Sequence, residues 1–286
     1  MKKRMKLLVT AVAVLSIAVF ALAGCSSQSG SSASSNNAGS GAADSKTLVV
    51  GFDSAYPPYG FVGNDGTYTG FDLDLAQAVC DRNGWTFKAE PIDWDAKDSL
   101  LNQGTVNCLW NGFTMEGREG KYTFSEPYML NEQVVVVKAN SGISNLSDLA
   151  GKTVMTQVDS AALEVLTEPT AEGGQADLTA TFAGGAAQTI ADYNNAFMQM
   201  QSGVVDAVAC DLSIAQYQMA ANPGTYVMLD TPLSQEHYAV AFKTGDTATA
   251  DAVTATLKEL YEDGTVAQLC DKYAEYGMSY DNWVLK

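Results

Sequence analysis

An apolar run, Leu48-Val49-Val50-Gly51-Phe52, opens the folded part of the chain and predicts a buried β-strand. The helix predicted after it begins at Asp72, as its N-cap, and ends before Asn83-Gly84. Further elements are predicted at 85–91 (strand), 96–103 (helix) and 106–110 (strand). Strands that alternate with helices of these lengths favour a mostly parallel sheet with helices on its faces.

The same order of elements is predicted a second time. The segments are 151–155 (strand), 160–166 (helix), 177–182 (strand), 193–201 (helix) and 204–210 (strand). A helix–glycine–strand unit also recurs at an offset of 99 residues: Leu101, Gly104, Val106, Asn107 and Leu109 match Met200, Gly203, Val205, Asp206 and Val208. Chance is the alternative, because glycine ends many helices. The repeat favours two similar α/β lobes.

The N-terminal segment has the features of an export signal. Residues 1–6 are cationic, and the apolar run 7–23 is short for a membrane span. The sequence Leu22-Ala23-Gly24-Cys25 resembles the lipobox of bacterial lipoproteins, which implies a signal peptide at 1–24 and a lipid on Cys25. An ordinary signal peptide followed by a cysteine is the alternative. The serine-rich segment 25–46 is predicted to be a flexible tether.

Composition excludes several classes of function. The net charge of −17 argues against nucleic acid as a partner, because phosphate binding needs a basic face. The single histidine, His237, argues against a histidine-rich metal site or a histidine-based triad, and we predict neither metal nor cofactor. An exported compartment permits disulfides. The cysteines after Cys25 nevertheless lie in apolar stretches and are predicted to be buried free thiols: Cys80, Cys108, Cys210 and Cys270.

The candidate ligand site lies at the ends of the predicted strands, because open parallel sheets bind ligands beyond the carboxyl ends of their strands. The residues there are Asp53, Tyr56, Trp94, Trp110, Asn111, Gly112, Thr114, Arg118, Ser160 and Asp211. A guanidinium pairs with a carboxylate, an aspartate pairs with an ammonium, and aromatic faces cover a side chain. This set of groups fits an α-amino acid.

Each candidate also has a structural explanation. Arg118 could form a surface ion pair within Glu116-Gly117-Arg118-Glu119, and Asp211 could cap a helix at 214–219. Trp94 and Trp110 could belong to the core, and Tyr56 could pack against the two prolines that follow it. The ligand hypothesis depends on all of them occurring together at strand ends.

The ordered motifs resemble those of the polar amino acid–binding proteins of ABC importers, the bacterial extracellular solute-binding proteins of family 3. They are Val50-Gly51-Phe52-Asp53, Tyr56-Pro57-Pro58-Tyr59, Gly70-Phe71-Asp72-Leu73-Asp74-Leu75-Ala76, Trp110-Asn111-Gly112-Phe113-Thr114, Phe124-Ser125-Glu126-Pro127-Tyr128 and Leu149-Ala150-Gly151-Lys152, with Arg118, Asp206 and Asp211 between or after them. The resemblance runs from 48 to 276. It implies a two-lobe α/β fold of the type II periplasmic-binding-protein kind, each lobe a mostly parallel sheet flanked by helices.

The resemblance also implies lobe boundaries and residue roles. Lobe 1 is expected at 47–134 and 238–286, lobe 2 at 138–233, and the crossovers near 133–138 and 233–238. Arg118 and Thr114 would hold the α-carboxylate with Ser160 from lobe 2, and Asp211 would take the α-ammonium. Asn111 and Gly112 would touch the ligand, and Asp53, Tyr56 and Trp94 would contact its side chain. Two features depart from the family pattern. The Thr114–Arg118 spacing is one residue shorter, and Asp159 stands where small or hydroxyl residues are usual and could favour a cationic side chain or oppose an acidic one.

The implied function is that of a lipid-anchored receptor on the outer face of the cytoplasmic membrane. It would bind a free amino acid as a monomer, close on it and deliver it to the permease and ATPase subunits of an ABC importer. One alternative is an enzyme on the same fold, similar to cyclohexadienyl dehydratase, which would need an acid–base group in the cleft. Another is a module that presents an amino acid to a receptor.

Overall fold

The computed structural model describes residues 46–170 and 173–286, so the predicted signal peptide and most of the tether lie outside the described residues. The strands are β1 Thr47–Phe52, β2 Ala55–Tyr56, β3 Gly60–Val62, β4 Tyr68–Thr69, β5 Thr86–Pro91, β6 Cys108–Leu109, β7 Thr123–Phe124, β8 Met129–Lys138, β9 Val154–Gln157, β10 Gln188–Ile190, β11 Ala207–Asp211, β12 Tyr226–Met228, β13 Ser234–Tyr238 and β14 Ala241–Phe242. The helices are α1 Phe71–Asn83, α2 Lys97–Gln103, α3 Ala161–Thr167, α4 Ala176–Thr179, α5 Tyr193–Ser202, α6 Leu212–Ala221, α7 Thr247–Glu262 and α8 Thr265–Lys272.

The first of the two large sheets has the strand order β5-β1-β6-β14-β7. Strand β1 pairs in parallel with β5 and β6, whereas β14 pairs antiparallel with β6 and β7. Leu48, Val50 and Phe52 alternate along β1 and are fully buried with apolar residues of α1 and α7. The late strand β14 and the C-terminal helices therefore complete a sheet that begins at residue 47.

The second large sheet has the order β10-β9-β11-β8-β12, with β13 also paired to β8. Strand β9 is parallel to β10 and β11, and β8 is antiparallel to β11, β12 and β13. Val134 and Val136 of β8 pack on the side of α5 and α6, and Val135 and Val137 pack on the side of α3. This period of two is that of a strand buried on both faces. Both sheets are mixed and carry helices on their faces.

The repeat at an offset of 99 residues has a structural counterpart. Gly104 ends α2 and Gly203 ends α5, each in the left-handed conformation that glycine adopts without strain. Asn107 accepts a hydrogen bond from Val49 N at 2.8 Å and donates its own N–H to Val49 O. Asp206 makes the same pair of bonds with Thr153, at 2.9 Å and 2.9 Å. Each unit thus attaches its strand to the N-terminal half of the neighbouring parallel strand or to the residue just before it.

Two predictions from the sequence were wrong. The N-cap of α1 is Gly70, and the fully buried Asp72 instead accepts hydrogen bonds from Gly112 N and the Tyr128 hydroxyl at 2.6 and 2.8 Å. The segment 177–182 is not a strand, because α4 occupies its first half. The strand beside β9 is β10, which lies six residues later.

The described cysteines agree with their prediction. Cys80, Cys108, Cys210 and Cys270 are all buried and unpaired. Burial raises the pKa of each of these four thiols, to about 11 for Cys80. Across 46–170 and 173–286, no helix has the length and apolar character needed to cross a membrane.

Candidate functional site

A small cavity lies where the carboxyl ends of strands from both large sheets come together. It is lined by Asp53, Tyr56, Trp94, Asn111, Gly112, Thr114, Arg118, Gln157, Ser160, Ala161 and Asp211. Nine of the ten residues expected to bind ligand therefore surround one space. The cavity volume is about 20 Å³, which is room for about one water.

Strand ends bring these side chains together. Asp53 follows β1, Asn111 follows β6, and Gln157 and Asp211 are the last residues of β9 and β11. Asn111 Oδ1 accepts the backbone N–H of Asp53 at 2.8 Å and so ties the ends of two neighbouring strands together. A side-chain-to-backbone hydrogen bond therefore helps to fix the wall supplied by the first sheet.

Arg118 is 4% exposed and belongs to the cavity wall. A compact turn, with Gly117 at φ 75° and Arg118 N donating to Met115 O, returns the guanidinium over the Phe113 ring at 4.7 Å. Its Nη1 donates to Thr114 O at 3.3 Å, and its Nε donates to Glu164 Oε2 at 2.9 Å. The short spacing after Thr114 is thus compatible with a place at the cavity, and the ion pair reaches across to α3.

Asp211 faces the cavity from the second sheet and is 4% exposed. It is the N-cap residue of α6, but its side chain makes no capping hydrogen bond. Its Oδ1 instead accepts from Asn131, Gln133 and the Tyr238 hydroxyl at 2.9, 2.7 and 2.8 Å. Burial raises the pKa of this carboxyl. A buried carboxylate of this kind favours a cationic partner.

Asp53 lies at another part of the same wall. Its Oδ2 accepts from Gln157 Nε2 at 2.7 Å, and its Oδ1 accepts from Ala55 N at 2.8 Å. Burial raises the pKa of Asp53, and the neighbouring charges of Asp192 and Asp93 raise it further. The Tyr56 ring packs against the rings of Tyr59 and Tyr193.

The two candidate hydroxyls already have hydrogen-bond partners. Ser160 is the N-cap of α3: it accepts from Leu163 N at 3.1 Å and donates to Gln157 O at 2.8 Å. Thr114 donates to Glu236 Oε1 at 2.7 Å. Trp94 lines the cavity, whereas Trp110 is fully buried in the core cluster, as its alternative interpretation predicted. The hydroxyl oxygens keep lone pairs with which they can accept from a ligand.

Asp159 does not line the cavity, in contrast to the expectation that it touches a ligand side chain. Its Oδ2 lies 2.6 Å from Nζ of Lys97, and its carbonyl oxygen lies 3.3 Å from the same atom. Lys97 is 3% exposed, so the ammonium is almost enclosed between α2 and the loop before α3. Asp159 has a φ of 60°, the left-handed conformation that is rare outside glycine, asparagine and aspartate.

Three polar residues at or beside this site were not among those expected to bind ligand. Gln157 is the last residue of a strand and could have been found by the rule that located Asp53 and Asp211. Lys97 begins a helix that looks amphipathic and solvated from its sequence. Glu236 stands in a strand, SQEHY, whose polar residues gave no sign of burial.

Comparisons with known proteins agree on a family. The profile of the bacterial extracellular solute-binding proteins, family 3, matches residues 48–276. The L-cystine-binding protein TcyJ of Escherichia coli (strain K12) is 28% identical over 230 residues, 79% of this chain and 82% of that protein. The arginine-binding extracellular protein ArtP of Bacillus subtilis (strain 168) is 28% identical over 277 residues, 96% and 98% of the two chains.

A solved structure shares the fold. An ABC uptake transporter substrate-binding protein from Streptococcus pneumoniae with bound histidine superposes with a TM-score of 0.74 at 33% identity. The match covers 79% of this chain and 92% of the other. Relatives and neighbour alike are named for binding an amino acid.

Proposed function

The chain belongs to the bacterial extracellular solute-binding proteins of family 3, and from this we propose that it binds a free amino acid between two lobes and delivers it to an ABC importer. The observation that carries the proposal is that a buried guanidinium and a buried carboxylate line the same cavity. Arg118 follows a strand of the first sheet, and Asp211 ends a strand of the second. The opposite ends of a zwitterion would attach to opposite sheets.

Closure follows from this division of the contacts. In the open form an amino acid contacts only one lobe, whereas in the closed form it contacts both. The ligand therefore binds the closed form more tightly, and this difference in affinity drives closure. The space open in the cavity is smaller than any amino acid, so the lobes would part to admit one. We place lobe 1 at 47–134 and 238–286, lobe 2 at 138–233, and the crossovers in the paired strands β8 and β13.

In the bound state Arg118 would give its guanidinium to the ligand α-carboxylate, and Asp211 would accept the α-ammonium. Thr114, Ser160, Asn111 and Gly112 would line the ligand backbone. Asp53, Tyr56, Trp94 and Gln157 would contact the side chain. The closed form would then dock on the permease, and a lipid on Cys25 would keep the receptor at the outer face of the cytoplasmic membrane.

Calorimetry tests the proposal. The protein should bind at least one of the twenty amino acids, cystine or ornithine with a micromolar or lower Kd, after a thermal-shift panel has selected candidates. Arg118→Ala should abolish the binding. Arg82→Ala is the matched control, because Arg82 is exposed and pairs with Asp263 on the surface. Equal affinity in the two variants would refute the role of Arg118.

A further inference from the structure

Two buried carboxylates beside the cavity share the same hydrogen-bond donors. Glu236 Oε1 lies 2.7 Å from Gln133 Nε2 and 2.8 Å from Asn131 Nδ2. Asp211 Oδ1 lies 2.7 and 2.9 Å from the same two nitrogens. The two oxygens are therefore no farther apart than twice 2.7 Å. Because an amide NH₂ has two hydrogens, each amide can give one to each carboxylate.

Sheet register fixes this arrangement. In the antiparallel pairings of β8, Asp211 of β11 stands opposite Gln133, and Glu236 of β13 stands opposite Asn131. Asn131 and Gln133 are two residues apart, so their side chains lie on the same face of β8. The amide orientation follows, because a turned amide would place its oxygen against two carboxylates. Gln133 Oε1 is left buried without a hydrogen-bond partner among the described residues, which is a cost of holding this orientation.

The charges around Glu236 are predominantly negative. Glu236 is 3% exposed, and its described hydrogen-bond partners are the amides and the Thr114 hydroxyl. The pocket on its other side is also lined by Glu116, Glu164 and Glu168. Arg118 donates a hydrogen bond from Nη1 to Thr114 O and another from Nε to Glu164 Oε2, so it makes no described contact with Glu236. The Tyr238 hydroxyl, from the same strand as Glu236, donates to Asp211.

Two carboxylates at this separation and burial do not both ionise readily without a cation. Burial and the neighbouring Asp211 raise the pKa of Glu236 to about 7. The pair therefore holds a proton for part of the time near neutral pH when the cavity holds no ammonium.

We propose that Glu236 shares a proton with Asp211 and that binding of the ligand ammonium to Asp211 expels this proton. The inference rests on the proposed function, because the ammonium that expels the proton belongs to the amino acid ligand that is proposed to bind Asp211. The balance is one zwitterion and one protonated pair on one side, and a complex with both carboxylates ionised and one proton released to solvent on the other. Glu236 does not touch the ligand. It acts on Asp211 through the amides that both carboxylates share, and on Thr114 through a hydrogen bond.

Affinity should consequently fall in acid. If one proton is released per ligand, Kd rises towards tenfold per pH unit below the pKa of the pair. We expect binding to be about tenfold weaker at pH 6 than at pH 8. Calorimetry in two buffers of different ionisation enthalpy measures the proton count directly. The probes are L-arginine and L-cystine, and L-histidine is left out because its own imidazole titrates in this range.

Glu236→Gln keeps the size and an acceptor oxygen, and it should bind with no proton release and with a Kd that changes less than twofold between pH 6 and 8. Glu132→Gln is the matched control, because Glu132 lies on β8 but bonds the exposed Gln235, and it should keep the wild-type linkage. Infrared difference spectra of the wild-type protein need no variant: binding should remove a carboxylic-acid C=O band. Proton release that persists in Glu236→Gln, a wild-type protein that releases none, or spectra without that loss would overturn the inference. Failure of every amino acid to bind would overturn the proposed function as well.

Discussion

The Nζ atom of Lys97 lies 2.6 Å from Oδ2 of Asp159, and the two residues belong to elements that flank different sheets. Lys97 opens α2 beside the first sheet, and Asp159 follows β9 of the second. Burial lowers the pKa of Lys97, and the ion pair with Asp159 opposes that shift. The contact joins elements of the two sheets and lies outside the cavity, so it would stabilise the proposed closed form independently of a ligand.

Removal of Asp159 should weaken binding more than removal of Lys97. Asp159→Asn leaves a buried ammonium without its carboxylate in the closed form, and we expect Kd to rise about tenfold, mainly through a faster koff. Lys97→Met leaves a half-exposed carboxylate that water can solvate, and about threefold is expected. Stopped-flow fluorescence and calorimetry measure both effects.

The control for this pair is Asp74→Asn. The Lys272–Asp74 ion pair joins α8 to α1 on one sheet, so it should not affect closure. An unchanged Kd is expected there. Equal losses in Asp159→Asn and Asp74→Asn would contradict a role for the Lys97–Asp159 pair in closure.

Glu164 should compete with the ligand for Arg118. Its Oε2 lies 2.8 Å from Nη2 and 2.9 Å from Nε of Arg118, so it holds the nitrogens that an α-carboxylate would need. We expect Glu164→Gln to lower Kd by about threefold to tenfold, because a neutral amide competes less well for a guanidinium. Glu168→Gln, at the same pocket, should leave Kd unchanged. Weaker binding by Glu164→Gln would instead mean that Glu164 orients Arg118 for the ligand.

Asp72 should make the ligand-free protein less stable as pH rises. Burial raises the pKa of this carboxyl to about 7, against about 4 in an unfolded chain. The folded state therefore holds more protons between pH 4 and 7, and the free energy of unfolding falls as pH rises through that window. The contribution is at most about 4 kcal/mol.

Urea unfolding of wild type and Asp72→Asn at several pH values checks this prediction. The free energy of unfolding of the variant should be lower by about 1–3 kcal/mol at pH 5. The NH₂ group of its amide would face Gly112 N and the Tyr128 hydroxyl, which both donate hydrogen bonds to Asp72. Its stability should then fall less between pH 5 and 8 than that of the wild type. Parallel pH profiles in the two proteins would rule out Asp72 as the titrating group.

The repeated contacts of Asn107 and Asp206 should contribute independently. Asn107→Ala and Asp206→Ala each remove an acceptor from a backbone N–H at a strand start, and a loss of about 1–2 kcal/mol in the free energy of unfolding is expected for each. Asn107→Asp and Asp206→Asn keep an acceptor and should cost less than the alanine variants. Because the sites lie in different sheets, the two alanine losses should add in the double variant. Strong non-additivity would show that the two units are coupled.

The site could be predicted where it obeys a rule about strand ends. Asp53, Asn111 and Asp211 follow or end parallel strands, and this alone was enough to group them. Asp72 was misassigned because an aspartate before an apolar run has the pattern of an N-cap, whereas its partners, Gly112 and Tyr128, are remote in sequence.

Local patterns failed where tertiary contacts decide. Leu178, Ala180 and Phe182 alternate with threonine as in a strand, yet residues 176–179 form α4 and Phe182 is buried three residues beyond its end. Glu236 and Lys97 were missed for the same reason, because their partners are separated from them by many residues. No local pattern encodes a carboxylate buried through the register of three strands.

The position of β14 has a consequence for synthesis and export. Its two residues, Ala241 and Phe242, are fully buried between β6 and β7 in the first sheet. The second sheet is made from a continuous stretch that ends at Tyr238. A chain that emerges from a translocation channel N-terminus first could therefore assemble the second sheet while the first still lacks an inner strand. Strand β1, the first strand of the described residues to appear, would thus belong to the sheet that is completed last.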